Sequence, residues 1–166
     1  MREPLKDRAR LEHILEAIDN VSSYTDGQTL TSLENDKMRY YAVVKNLEII
    51  GEAVYKLTKS FRQKYPETHW DDITRLRHVL VHDYYHISLQ TVWEIINHDL
   101  TPLRSQVVRY IEETDWVEWE KNVEAVVESA VHKSLVQTAR RMKSSGYDVD
   151  EIINITGLTK DEIDEL

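Results

Sequence analysis

The chain has 166 residues, no cysteine and a formal net charge of −9 at pH 7. The lack of cysteine excludes a disulfide framework, a thiolate metal site and a cysteine nucleophile. Only 4 glycines and 3 prolines are present, which disfavours turn-rich β folds and favours long helices. The first residues lack an apolar signal core, and no run approaches the roughly 18 apolar residues of a membrane helix. We therefore expect a cytoplasmic protein that does not associate with membranes.

The acidic excess is confined to the C-terminal third. Residues 1–111 contain 15 Lys and Arg against 16 Asp and Glu, whereas residues 112–166 contain 6 against 14. The first two thirds are thus close to neutral. Because local rather than total charge governs contact with a polyanion, an RNA-binding patch in residues 1–111 is compatible with the composition.

Apolar residues recur at helical spacing through the first 115 residues. They predict four helices, over about residues 4–24, 33–57, 70–84 and 89–112. The apolar stripe of the second helix includes Met38, Tyr41 and Ile50. Gly51 interrupts this helix, and we interpret it as a point of close helix packing. Pro102 is expected to kink the fourth helix or to start a new segment. Short connections between these helices favour an antiparallel bundle.

A different pattern follows in the tail. Residues 116–144 form one long amphipathic helix whose apolar stripe includes Val126 and Val127, and Ser145-Gly146 is a stop signal. A short helix ending at Gly157 is predicted next. Thr159 caps another, and Glu162 completes its capping box. We accordingly divide the chain into a helical bundle, residues 1–115, and an acidic helical extension, residues 116–166.

The segment from Arg75 to His86 concentrates the reactive side chains. Arg77, His82 and Tyr84 form an R-x4-H-x-Y pattern. Cleavage of an RNA backbone without metal needs a base for the 2′-hydroxyl proton and a cation for the charge that develops on the phosphorane. Histidine suits the first task near neutral pH and arginine the second. On an ideal helix, positions 77 and 82 are about 140° apart. Either the helix bends near its end, or two copies contribute to one cleft.

Two other interpretations of this segment remain open. His78, His82 and His86 have an H-x3-H-x3-H spacing that places three imidazoles on one helix face, as in a zinc or iron site. No carboxylate is spaced to complete that site. Alternatively, Arg77 and His82 are an ordinary surface charge and a satisfied polar group, and Tyr84 is a structural aromatic residue.

Several segments together resemble one known family. They are Arg77-His-Val-Leu-Val-His82-Asp-Tyr84, Val92-Trp-Glu-Ile-Ile96, Leu100-Thr-Pro-Leu103 and Asn46-Leu-Glu-Ile-Ile-Gly-Glu-Ala53. Over roughly residues 5–112 the chain is similar to the HepT family of HEPN-domain toxins, which often carries an Ile-Gly-Glu-Ala segment.

The resemblance implies an all-α, antiparallel HEPN-type bundle that acts as a homodimer with a composite active site. It implies a metal-independent endoribonuclease without a cofactor, with Arg77 and His82 as catalytic residues and Asp83, His78 and Arg75 in support. The implied partner is an MntA-type nucleotidyltransferase antitoxin that attaches AMP to Tyr84. The alternative is a non-catalytic nucleotide-binding or scaffold subunit that partners a nucleotidyltransferase.

The tail departs from this family, whose members commonly end near residue 115. Thr156-Gly-Leu-Thr159 has some likeness to a helix–turn–helix, but the net charge of −8 over residues 112–166 disfavours DNA binding. We interpret the tail as an element that contacts another protein or braces a dimer.

Overall fold

The computed structural model describes residues 7–82 and 88–166, and of His82 only the backbone. All regular secondary structure in these ranges is helical. The α-helices are α1 (Asp7–Thr25), α2 (Leu30–Asn35), α3 (Lys37–Lys56), α4 (Lys59–Lys64), α5 (Trp70–His82), α6 (Leu89–Glu94), α7 (Leu100–Glu113), α8 (Trp116–Ser144), α9 (Val149–Thr156) and α10 (Lys160–Asp164), with a π-helical turn at Ile95–Asp99. The prediction of an all-α helical bundle with a C-terminal helical extension is confirmed.

Helix α3 is central to the first part of the fold because it packs against both α1 and α5. Asp7 contacts Thr58, just beyond the end of α3, and Asn20 contacts Asn46 in its middle, so α1 and α3 run antiparallel. The shared core consists of buried aliphatic side chains at helical spacing: Leu11, Ile14, Ile18 and Val21 of α1, and Val43, Leu47, Ile50 and Val54 of α3.

The prediction of a single helix over residues 33–57 was wrong in one respect, because two helices, α2 and α3, meet at Asp36. Thr29 caps α2 through a capping box with Ser32. The backbone at Asp36 leaves the helical region, with φ −108° and ψ 82°, and its carboxylate accepts a hydrogen bond from the Arg39 N–H at the start of α3. Met38 and Tyr41, assigned to the apolar stripe, are exposed.

The short helix α4 was not predicted, and it supplies the centre of an aromatic cluster. Thr58 caps α4, and its backbone N–H and hydroxyl both donate to the carboxylate of Asp7 at 2.7 Å. The fully buried Phe61 ring contacts four other aromatic rings. These rings are Tyr65, Trp70, Tyr110 and Trp116. The cluster therefore ties α4, α5 and α7 together.

The continuous helix predicted over residues 89–112 is divided by the π-helical turn. The Leu100 N–H donates to the carbonyl of Ile95, five residues back, where an α-helix would pair residues four apart. Pro102 lies in the first turn of α7 and has no N–H to donate, so it also removes one helical hydrogen bond near this junction. The irregular turn thus precedes the proline, and α7 begins at Leu100.

Two compact units are distinguished, one up to Trp116 and one from Val117 to Leu166. In the second unit, α8, α9 and α10 enclose a small core of Ala139, Ile152, Leu158 and Ile163. Gly157 ends α9 in the left-handed region at φ 71°, and the predicted Thr159–Glu162 capping box is present. Val126 and Val127, assigned to the apolar stripe of α8, are exposed instead.

Helices of the described ranges are all too short or too polar to traverse a lipid bilayer.

Candidate active site

Helix α5 carries the described residues of the predicted site, and both of its ends are anchored. At its start the Trp70 indole N–H donates to the carbonyl of Tyr65 at 2.8 Å. Near its C-terminal end Leu80 is buried. These contacts fix the rotation of α5 about its axis, so that Arg77 faces α3 and Arg75 does not.

Arg77 forms an ion pair with Glu52 on α3. The Arg77 Nε donates to Oε2 of Glu52 at 2.6 Å, and both side chains are partly buried. The Arg77 guanidinium also lies over the Tyr55 ring, with Cζ 5.2 Å from the ring centroid. The Nε contact uses only one of the five N–H donors of the guanidinium, so the Nη groups keep their capacity to bind a phosphate.

The close approach of α5 to α3 depends on Gly51. A Cβ placed on Gly51 would lie 2.3 Å from the Cβ of Arg77 and 3.2 Å from its Cα. Any other residue at position 51 would therefore push the two helices apart. The interpretation of Gly51 as a point of close helix packing is confirmed.

Glu52 is held by two cations. Besides Arg77, it pairs with Lys56, whose Nζ lies 3.3 Å from Oε1 of Glu52. Burial by itself raises the pKa of Glu52, but the hydrogen bonds from Lys56 and Arg77 outweigh it and lower the pKa below its ordinary value. Glu52 is therefore ionised at neutral pH and acts as a fixed anion that orients Arg77.

The other predicted residues on α5 lie elsewhere. Arg75 is exposed and pairs with Asp72 on its own helix, beside a hollow that it shares with Lys59 and Arg62. His78 is also exposed. Neither of them lines the groove at Arg77 that is described below. The structure thus separates Arg75 and His78 from Arg77.

The remaining predictions concern the end of the segment. His82 is the last described residue of α5, and its side chain lies outside the described part of the structure, as do Asp83, Tyr84 and His86. The pairing of Arg77 with His82 therefore stays a prediction, and the three-histidine metal set stays an open alternative. Across residues 7–81 and 88–166, no cluster of His, Asp or Glu side chains is arranged to hold a metal ion.

A groove of about 320 Å³ opens beside Arg77, between α1, α3 and α5. Its charged and polar lining comes from three helices and comprises Arg10, His13, Lys45, Glu48, Glu52, Lys56 and Arg77. Sequence reasoning missed Arg10, His13, Lys45 and Lys56, because charges on amphipathic helices normally belong to a solvated face. The sequence did contain one indication of the groove, because the charged residues 45, 48, 52 and 56 recur at helical spacing along one side of α3.

Comparison with known proteins decides the family. A family model named HepT-like, whose description is "Ribonuclease HepT-like", matches residues 14–110. The chain belongs to the HepT-like ribonuclease family. The matched range contains Gly51, Glu52 and Arg77, whereas Arg10 and His13 precede it. The resemblance stated from the motifs is confirmed, and the predicted enzyme class, a ribonuclease, is the class of the HepT-like family.

Individual relatives agree with this assignment. The chain is 31% identical over 161 residues to a Methanocaldococcus jannaschii protein described as a gamma-glutamylcyclotransferase and, provisionally, an RNase; the match covers 92% of this chain and 72% of that protein. A second protein of that archaeon, provisionally described as an RNase, is 39% identical over 94 residues, covering 56% of this chain and 78% of its own length.

A third relative bears the family name. The probable ribonuclease HepT of Thermococcus cleftensis is 31% identical over 96 residues, covering 58% of this chain and 87% of its own length. The match to the first M. jannaschii protein, at 92% of this chain, includes most of residues 116–166, so the acidic tail has a counterpart in that relative. No solved structure matches the chain.

Proposed function

We propose that this HepT-like protein is the toxin of a toxin–antitoxin pair and cleaves RNA with Arg77 and His82. The proposal rests on the ion pair between Arg77 and Glu52. The Arg77 Nε donates to Oε2 of Glu52 at 2.6 Å, which orients the guanidinium at the edge of a groove lined by further cations. A guanidinium oriented in advance stabilises a phosphorane better than a mobile one, because it need not reorganise as the charge develops.

The reaction is an internal transesterification. His82 takes the proton of a ribose 2′-hydroxyl, the 2′-oxygen forms a bond to the adjacent phosphorus, and the P–O5′ bond breaks. The leaving O5′ receives a proton from water, and His82 afterwards returns its proton to the solvent, so the products are a 2′,3′-cyclic phosphate and a 5′-hydroxyl. Arg77 stabilises the charge on the non-bridging oxygens. No metal or cofactor enters this scheme, and an imidazole can transfer the proton near neutral pH.

Growth and cleavage assays test the two assignments. Arg77→Ala and His82→Ala are expected to abolish both the growth arrest caused by the chain alone and the cleavage of RNA by the purified protein. The matched control is Arg104→Ala, because Arg104 also forms an arginine–carboxylate pair, with Asp19 at 2.8 Å, but lies outside the groove. Equal RNA cleavage by the wild type and Arg77→Ala would remove the catalytic assignment. A wild type that leaves RNA intact but binds a nucleotidyltransferase tightly would favour the scaffold alternative.

We further propose a symmetric dimer in which Arg77 of one protomer and His82 of the other serve one cleft. The support is the angle of about 140° between positions 77 and 82 on a helix, which directs the two side chains differently. Mixing Arg77→Ala and His82→Ala protomers tests this. Mixed dimers would contain one intact site, so roughly one quarter of the wild-type activity should return. A mixture as inactive as its components would show that each site is built from one chain.

The proposed regulation is AMP addition to Tyr84 by a nucleotidyltransferase antitoxin. AMP beside the site would add bulk and negative charge where the RNA phosphate must bind. The intact mass of the protein, produced with and without a nucleotidyltransferase encoded beside it, tests this. A mass increase of one or more AMP units is expected, abolished by Tyr84→Phe but not by the neighbouring control Tyr85→Phe. An increase that survives Tyr84→Phe would place the modification elsewhere.

A further inference from the structure

We propose that the groove between α1, α3 and α5 binds the RNA phosphates that flank the scissile one, and that Tyr41 stacks on an unpaired base. This inference rests on the proposed function, because it extends the Arg77 site along the substrate. It adds a binding surface, contributed mainly by α1 and α3, to a catalytic motif that lies on α5.

The charge of the groove is the first observation. Arg10, Lys45, Lys56 and Arg77 give it four permanent positive charges, against two carboxylates, Glu48 and Glu52. The groove therefore carries a local net charge of +2 in a chain whose total is −9. A concave surface with a net positive charge concentrates anionic ligands, so a polyanion is the expected occupant.

The ion pairs within the groove leave cations available to a ligand. Glu52 serves Arg77 and Lys56 together, so one carboxylate is shared by two cations. Lys45 pairs with Glu48 at 2.8 Å, but its side chain is 69% exposed. Such exposed ion pairs contribute little to the free energy of folding, so Lys45 can release Glu48 and bind a phosphate instead.

His13 adds a polar group on the α1 side of the groove. Its position three residues after Arg10 places both side chains on one face of α1. His13 is exposed, and no hydrogen bond or ion pair to it is found among the described residues. An imidazole N–H in this position can donate to a phosphate oxygen or a ribose hydroxyl.

An aromatic platform adjoins the charged groove. A second hollow is lined by Tyr40 and Tyr41 and shares Lys45, Glu48 and Val81 with the first, so the two form a continuous surface along α3. Tyr41 is 60% exposed, and the Tyr40 and Tyr41 rings are 5.7 Å apart at an angle of 59°. Exposed aromatic rings beside cations are the usual means of holding an unpaired base next to its phosphates, so the substrate class is single-stranded RNA.

Binding as a function of salt concentration tests the phosphate contacts. The 166-residue chain with His82→Ala is titrated with a labelled single-stranded RNA oligonucleotide at several salt concentrations. Each phosphate contact that is lost should flatten the slope of log affinity against log salt by about 0.7. Arg10→Ala and Lys45→Ala are each expected to do so. Arg8→Ala is the matched control, since Arg8 lies on the same helix outside the groove and pairs with Glu12.

Tyr41 is tested by the same titration with a different expected result. Tyr41→Ala should weaken RNA binding about 10-fold at every salt concentration without changing the slope, because stacking is not electrostatic. Tyr41→Phe should bind as the parent does, because it keeps the ring. Tyr24→Ala, which removes an exposed tyrosine that lines neither hollow, should also have no effect.

Two results would overturn the inference. The first is an Arg10→Ala variant with the same salt slope as Arg8→Ala. The second is a change in sedimentation mass with Tyr41→Ala or Arg10→Ala at unchanged RNA affinity, which would assign this surface to contact between copies of the chain. Failure of the underlying function is recognised separately, because it would appear as undiminished RNA cleavage by Arg77→Ala.

Discussion

Gly51 and Arg77 lie directly opposite each other where α3 and α5 touch, and a Cβ on the glycine would lie 2.3 Å from the Cβ of the arginine. The next residue, Glu52, accepts the hydrogen bond from Arg77 Nε. The Ile49-Ile-Gly-Glu-Ala53 segment thus has a physical explanation: the glycine admits the arginine, the glutamate orients it, and Ile50 and Ala53 are buried in the core.

Substitution of Gly51 should destabilise the protein. Alanine is a better helix former than glycine by about 1 kcal/mol. The clash with Arg77 nevertheless forces α3 and α5 apart, and overpacking of this kind costs about 1–3 kcal/mol, so Gly51→Ala should lower the free energy of unfolding. Denaturant unfolding measures the change. The control is Gly51→Ala in an Arg77→Ala background. Because alanine keeps the Cβ at position 77, the loss of unfolding free energy should persist there. A loss that vanishes there would assign the clash to the guanidinium.

Removal of Glu52 should impair catalysis through Arg77. With Glu52→Ala the guanidinium loses its Nε acceptor, and misplacement of a catalytic group by about 1 Å costs on the order of 100-fold in rate. The expected effect is on kcat more than on KM, with partial recovery in Glu52→Gln, which still accepts from Nε. Glu12→Ala, which removes an exposed carboxylate on α1, serves as the control. Glu52→Ala and Glu52→Gln with equal, wild-type kcat would show that Arg77 needs no orienting anion.

The lowered pKa of Glu52 predicts how its contribution to stability depends on pH. Because the folded protein holds the carboxylate ionised to lower pH than the unfolded chain does, the unfolded state binds more protons in the interval between the two pKa values. The stabilisation of the folded protein by ionised Glu52 is therefore complete above the pKa of about 4.3 that this carboxyl has in the unfolded chain. It is lost as the pH falls through the lower pKa that the carboxyl has in the folded protein. Urea unfolding of the wild type and Glu52→Gln should show a difference at neutral pH that narrows under acid conditions. A difference that stays constant would mean that the charge of Glu52 does not contribute.

Thr159 should determine the local stability of α10. Its hydroxyl accepts from the Glu162 N–H, and the Glu162 carboxylate accepts from the Thr159 N–H at 2.8 Å. Loss of an N-cap costs about 1 kcal/mol, so Thr159→Ala should speed hydrogen exchange of the α10 amides roughly fivefold. Thr138→Ala is the control, because the Thr138 hydroxyl donates to a carbonyl within α8 and does not cap a helix. Unchanged exchange in Thr159→Ala would show that the side-chain cap adds nothing to α10.

Local signals in the sequence account for the elements that were predicted correctly. Capping, turn and spacing patterns act over three to five residues, so Gly157, the Thr159–Glu162 box and the extent of α8 could be read directly. The same locality explains the errors. Asp36 divides α2 from α3 by a backbone conformation inside an otherwise helical pattern, and the short α4 takes its place largely from the tertiary packing of Phe61.

The amino-acid sequence by itself determined the helical class, the family motif around Arg77 and the acidic character of the tail, because these depend on composition and on neighbours within a few positions. Only the tertiary structure decided that Glu52 holds Arg77, 25 residues away, and that Arg10 of α1 and Lys45 of α3 share a groove with both. Such pairings depend on how α1, α3 and α5 pack their apolar faces together, which sets the rotation of each helix about its axis. The spacing of residues 45, 48, 52 and 56 marks one side of α3, but no local pattern shows which sides of α1 and α5 that side meets, so the complete cationic groove could not be predicted from the sequence.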